Sequence, residues 1–68
     1  MIVVVNGDPR EVPPGATVTS LIETLSGVPQ GRGVAVAVGG EVVPRSAWPR
    51  TELAEGMRVE VVVAVQGG

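Results

Sequence analysis

Only one stretch of this sequence has the spacing of an amphipathic helix, so a sheet built from the other apolar runs has cover for one face alone. Val18, Leu21, Ile22 and Leu25 fall at i, i+3, i+4 and i+7, which places them on one helical face. Thr17 precedes them as a good N-cap, Gly27 follows as a C′ residue, and Pro29 prevents continuation.

The remaining apolar runs read as strands. Ile2 to Val5 is β-branched and ends at Asn6-Gly7, a hairpin dipeptide, before Pro9 to Val12. Asp8-Pro9 could lengthen that turn, and Pro13-Pro14-Gly15 breaks the strand. Beyond the helix, Gln30 to Gly33 is a polar connection. Val34 to Val38 then meets Glu41 to Val43 across a Gly39-Gly40 turn. Pro44 ends that strand, and Ser46 to Thr51 reads as a tight turn or short 3₁₀ segment, because Pro49 discourages a longer helix. Met57 to Val65 is the last strand. The first and last strands are the most uniformly apolar, as central strands paired in parallel are. The expected fold is α+β: a β-grasp of order ββαββ, a mixed sheet with one helix packed on one face.

The faces of the last strand carry a functional expectation. Val59, Val61 and Val63 share one face and belong under the helix; Arg58, Glu60, Val62 and Ala64 share the other. That second face changes from charged to apolar toward the C-terminus. Val62 and Ala64, with Ala35 or Ala37, are expected to form a partly exposed apolar patch for partner docking, against the alternative of ordinary scattered surface apolarity.

Composition removes most function classes. A chain of 68 residues is one small domain, 1–68, that buries only ~60% of its unfolded surface. It has neither cysteine nor histidine, so disulfides, thiolate metal sites and the usual general base are missing. No carboxylate pair has a spacing that suggests acid–base catalysis or metal binding. A catalytic residue, a bound metal and a bound cofactor are therefore not expected. The net charge of −2 without a basic block argues against nucleic acid, and the N-terminal run is too short for a membrane span. A cytoplasmic protein is the expectation. All five basic residues are arginines, so no lysine here can accept another copy's carboxyl terminus.

What remains is the end of the chain, Gln66-Gly67-Gly68. Glycine lacks a Cβ, so such an end can enter a narrow cleft, and the Gly68 carbonyl is unshielded by any side chain. Residues 66–68 are expected to be a flexible tail reaching roughly 10 Å beyond the sheet. The alternative is an idle frayed terminus.

These features together resemble the small sulfur-carrier proteins of thiamine biosynthesis, which are ubiquitin-like. The resemblance spans the whole chain. It rests on Val5-Asn6-Gly7, on Thr17-Val18 with Leu21-Ile22, and on Gly40 to Arg45 with Trp48. Glu55-Gly56 and Ala64-Val65-Gln66-Gly67-Gly68 complete it. Gly39 stands where the family often has Asn, and Met57 where an Asp often follows the glycine.

The resemblance implies a covalent carrier rather than an enzyme. A ubiquitin-activating-like adenylating enzyme would use ATP to adenylate the Gly68 carboxylate. A persulfide donor, a cysteine desulfurase or rhodanese-like protein, would convert it to a thiocarboxylate. Thiazole synthase would receive the sulfur. Gln66 and Gly67 would thread into the partner, and Val62, Ala64, Ala35 and Ala37 would dock. A carrier serving molybdopterin or tRNA thiolation, or a protein modifier, is the alternative. Trp48, the only aromatic, packs over the core edge or meets a partner; Arg45 pairs with Glu41 or is solvated.

Overall fold

The computed structural model describes residues 1–28 and 33–64. The expected Pro29 helix stop, most of the Gln30–Gly33 connection, and Val65 through Gly68 lie outside the described residues.

Strand β1 (Ile2–Val5) turns through Asn6 and Gly7 into β2 (Asp8–Glu11). Asn6 and Gly7 have φ of 49° and 85°. Two successive positive φ values make the type I′ turn whose twist matches a right-handed strand pair, and Asn-Gly is the dipeptide that tolerates it best. The register Val5↔Asp8 shows that Asp8-Pro9 does not lengthen the loop. Pro9 fits because β2 is an edge strand.

Helix α1 (Val18–Thr24) starts at Thr17 as expected. Ser20 N–H donates to Thr17 Oγ1 at 3.2 Å, and Thr17 N–H donates to Ser20 Oγ at 2.9 Å. This reciprocal pair satisfies donors that the first turn leaves without intrahelical partners. The helix ends sooner than its pattern suggests. Leu25 is the C-cap, at φ −87° and ψ 123°, so Gly27 lies in the turn beyond and is not the C′ residue. Thr24 Oγ1 donates to the Leu21 carbonyl at 2.7 Å, and Leu25 N–H to the Ile22 carbonyl at 3.1 Å. Those bonds satisfy late carbonyls within the helix itself.

Strands β3 (Val34–Val38) and β4 (Glu41–Val42) form a second two-residue hairpin, and β5 (Arg58–Val63) closes the sheet. The sheet order is β2-β1-β5-β3-β4, with β1 and β5 parallel and the other pairs antiparallel. The β-grasp class, the mixed sheet and the single covering helix are as expected. The element order is ββαβββ: the label ββαββ is one strand short of the five that the sequence pattern itself marks, and all five are present, Glu41–Val42 pairing with β3 across the Gly39-Gly40 turn.

The core lies between the sheet and α1. Val3, Val18, Leu21, Ile22, Val36 and Val59 are its most enclosed side chains. Trp48 sits in the 3₁₀ segment Arg45–Arg50 and is buried in this cluster, with its Nε1 donating to the Val43 carbonyl at 3.0 Å. Packing, the first of the two roles weighed for Trp48, is the one the fold uses. Arg45 places its guanidinium carbon 4.9 Å from the centre of the Trp48 ring.

Two stability predictions follow from these contacts. Thr17→Ala should lower the unfolding free energy by about 1 kcal/mol in urea titrations, the usual worth of an N-cap hydroxyl. Trp48→Ala should cost about 3–5 kcal/mol. For a domain this small that approaches the whole margin, so the variant should be largely unfolded by circular dichroism at room temperature.

Candidate functional site

Strand β5 occupies the centre of the sheet and carries the chain toward its end. On its helix side Val59 and Val61 are buried, as expected. Val63 belongs to that same face but is 37% exposed. Val63 borders an open depression that it shares with Val61 and with Leu25, Ser26 and Val28, the residues just past α1.

On the other side Arg58, Glu60, Val62 and Ala64 are all exposed, and no helix among the described residues covers them. Val62 is 62% exposed and lies directly opposite Ala35, which is exposed as well. Ala37 is half-buried and faces Glu60 across the β3–β5 ladder, toward the charged end of this surface. Gly33, Ala35, Val62 and Ala64 line one shallow depression. The structure thus brings Val62, Ala35 and Ala64 together and sets Ala37 farther along.

Two residues of this region escaped the sequence reading. Val42 is 75% exposed and stands opposite Ala37, so it extends the apolar surface across β4. The two-residue Gly39-Gly40 hairpin contains that information, since it fixes Val38 against Glu41 and therefore Ala37 against Val42. The second is Asn6, read from sequence only as a turn former. Its Nδ2 donates to the Val61 carbonyl at 3.0 Å, and the Val61 N–H donates to its Oδ1 at 2.8 Å. Sequence pattern gives no sign of that clamp, which depends on a contact between residues 55 positions apart.

Beyond Val61, β5 is held on the β3 side. Val62 and Val63 face Ala35 and Val34, and the Ala64 N–H donates to the Gly33 carbonyl at 2.6 Å. Gln66, Gly67 and Gly68, the expected tail and carrier residues, lie outside the described residues. Among the described residues, no cluster of three or more histidine, cysteine, aspartate or glutamate side chains could hold a metal ion. No described helix is long and apolar enough to cross a membrane.

The fold and the sequence have known counterparts. A family model described as the ThiS family matches residues 3–68. Two solved structures of a thiamine biosynthesis protein (ThiS) from Geobacter metallireducens are similar to this chain at 36% identity. The crystal structure superposes with a TM-score of 0.81 and covers 100% of both chains. The NMR solution structure gives 0.80, covering 100% of this chain and 88% of that one. No curated protein matches the chain.

The two faces of β5 predict opposite responses to one chemical change. Val62→Thr, on the open side, should alter stability by less than about 0.5 kcal/mol. Val61→Thr places a hydroxyl at the core and should cost about 1–3 kcal/mol. Urea unfolding of the two variants side by side measures the difference.

Proposed function

The chain belongs to the ThiS family, the small ubiquitin-like sulfur carriers of thiamine biosynthesis on which partner enzymes act, and from that premise we propose that its working group is the Gly68 α-carboxylate. A carboxylate is a poor acyl donor, because its charge is delocalised over two oxygens and oxide is not a viable leaving group. An adenylating partner supplies the remedy with ATP. A carboxylate oxygen attacks the α-phosphorus, the bond to the β-phosphate oxygen breaks, and pyrophosphate leaves. The acyl-adenylate then has AMP as its leaving group.

Sulfur enters from a protein persulfide on a cysteine desulfurase or rhodanese-like donor. Its terminal sulfur attacks the activated carbonyl and AMP departs. A thiol then cleaves the resulting acyl disulfide and is oxidised to a disulfide with the donor cysteine, which frees the thiocarboxylate on Gly68. Thiazole synthase takes that sulfur. ATP, thiols and persulfides put these steps in the cytoplasm.

The carrier itself contributes two things. Gln66 and Gly67 thread the carbonyl into the partner site, where the missing Cβ atoms keep the passage narrow. Val62, Ala35 and Ala64, extended by Ala37 and Val42, offer the adenylating enzyme an apolar surface on the uncovered side of the sheet. In this division of labour the partners bring the acid–base groups and the phosphate site, so the absence of histidine and cysteine here is no obstacle.

One observation carries the reading. The central strand that the family match spans is bonded on both sides up to Val61 and on the β3 side to Ala64, so the last residues start from a fixed point. Gly67→Val or Gly68→Val should block thiocarboxylate formation without unfolding the domain. Intact mass after incubation with the adenylating partner, ATP and a persulfide donor reads this. The native chain should gain an oxygen-to-sulfur increment and the variants none; normal loading of either variant would overturn the proposal.

A further inference from the structure

We infer that Asn6 is a positioning residue for the carrier's terminus: its carboxamide sets the point and direction in which β5 leaves the sheet. The inference rests on the reading of Gly68 as the reacting end, and it deepens that reading.

The hydrogen-bond ladder between β1 and β5 shows why. Val4 N–H donates to the Met57 carbonyl and Asn6 N–H to the Val59 carbonyl, each at 2.9 Å. In a regular parallel pair the next bond would run from the Val61 N–H to the Asn6 main-chain carbonyl. That carbonyl is not the acceptor, because Asn6 has entered the left-handed turn at φ 49°. The side chain supplies the missing group instead. Oδ1 accepts from the Val61 N–H at 2.8 Å, and Nδ2 donates to the Val61 carbonyl at 3.0 Å. A carboxamide is the side-chain copy of a peptide group, so it adds one further rung after the β1 backbone has turned away.

Few residues satisfy both demands at this position. Asparagine tolerates positive φ, and its short side chain ends in both a donor and an acceptor. Aspartate keeps the acceptor and loses the donor. Glutamine has the amide but one more methylene and little tolerance for the left-handed region. Glycine keeps the turn and loses both bonds. Positive φ alone does not require asparagine, because the equivalent turn position in the second hairpin is Gly39, at φ 58°.

The consequence falls on the strand end. Among the described residues, Val61 is the last of β5 bonded toward β1; from Val62 to Ala64 the main-chain bonds run toward β3. Removing the carboxamide leaves the Val61 N–H and carbonyl without their protein partners and lets β5 fray from that side. The strand end is then held by β3 alone, so its direction is set by one neighbour instead of two and the carboxylate samples more volume for the same docked body. Misplacement of about 1 Å can cost on the order of a hundredfold in rate, and the loss falls on the chemical step more than on docking.

Asn6→Gly is the test, because it keeps the hairpin and removes only the clamp. The full chain is assayed with its own adenylating partner by ATP–pyrophosphate exchange, beside Asn6→Asp, a Gly68 deletion and the destabilised control Val12→Ala. Asn6→Gly should lower kcat about tenfold with KM changed less than about threefold, and the Val61 amide should lose hydrogen-exchange protection. Asn6→Asp, which retains the acceptor, should fall between it and the native chain in kcat. The Val12→Ala control should keep native kcat while folded. Native kcat in Asn6→Gly overturns the inference, as does an equal fall in Val12→Ala, which would assign the effect to stability. Should Asn6→Gly not fold, native kcat in Asn6→Asp overturns it equally. Continued exchange by the Gly68 deletion would instead sink the reading of the terminus, so the two failures are distinguishable.

Discussion

The fold depends on the parallel pairing of β1 with β5, which joins the first and last strands of the sheet. Parallel neighbours cannot be linked by a tight turn, so a long connection has to carry the chain from the end of β1 back to the start of β5. The β2 hairpin, α1, β3, β4 and the 3₁₀ segment make up that connection, with β2, β3 and β4 adding to the same sheet. The return path carries Trp48 and Leu53 into the core, with the Leu53 N–H donating to the Ala16 carbonyl at 2.8 Å. Because β5 is central, Ala64 follows a strand paired on both sides rather than an edge strand.

Among the described residues, one helix over five strands leaves the second sheet face bare, and the sequence accommodates this unevenly. Arg58 and Glu60 keep one end of that face charged, while Val62, Ala35 and Ala64 leave the other end apolar, nearest the terminus. Val59 and Val61, one residue out of phase on the same strand, are buried. A two-residue period therefore separates what holds the domain together from what is exposed, so a change on the open face leaves the core untouched.

Most of the architecture was legible because its signals are local. Asn6-Gly7 and Gly39-Gly40 announce two-residue hairpins, and Thr17 followed by a 3.6-residue apolar period announces the helix. The features that were not legible are set by contacts distant in sequence. The early C-cap at Leu25 and the exposure of Val63 are among them. Asn6 is the sharpest case. Its local role as a turn former fully explains its presence in the sequence, so the clamp on Val61 leaves no separate mark in the local pattern. For the site, the apolar face was readable from strand alternation, whereas the chemistry assigned to Gly68 came from family resemblance.

The proposed function belongs to main-chain atoms: a terminal carboxylate for partners to activate, load with sulfur and empty. The most direct measurement is the intact mass of the protein isolated from its own cells, with the modified residue located by fragmentation. A population carrying sulfur in place of one oxygen at Gly68 is the predicted result. A terminus that stays an unmodified carboxylate, in cells actively making the thiazole ring, would contradict it.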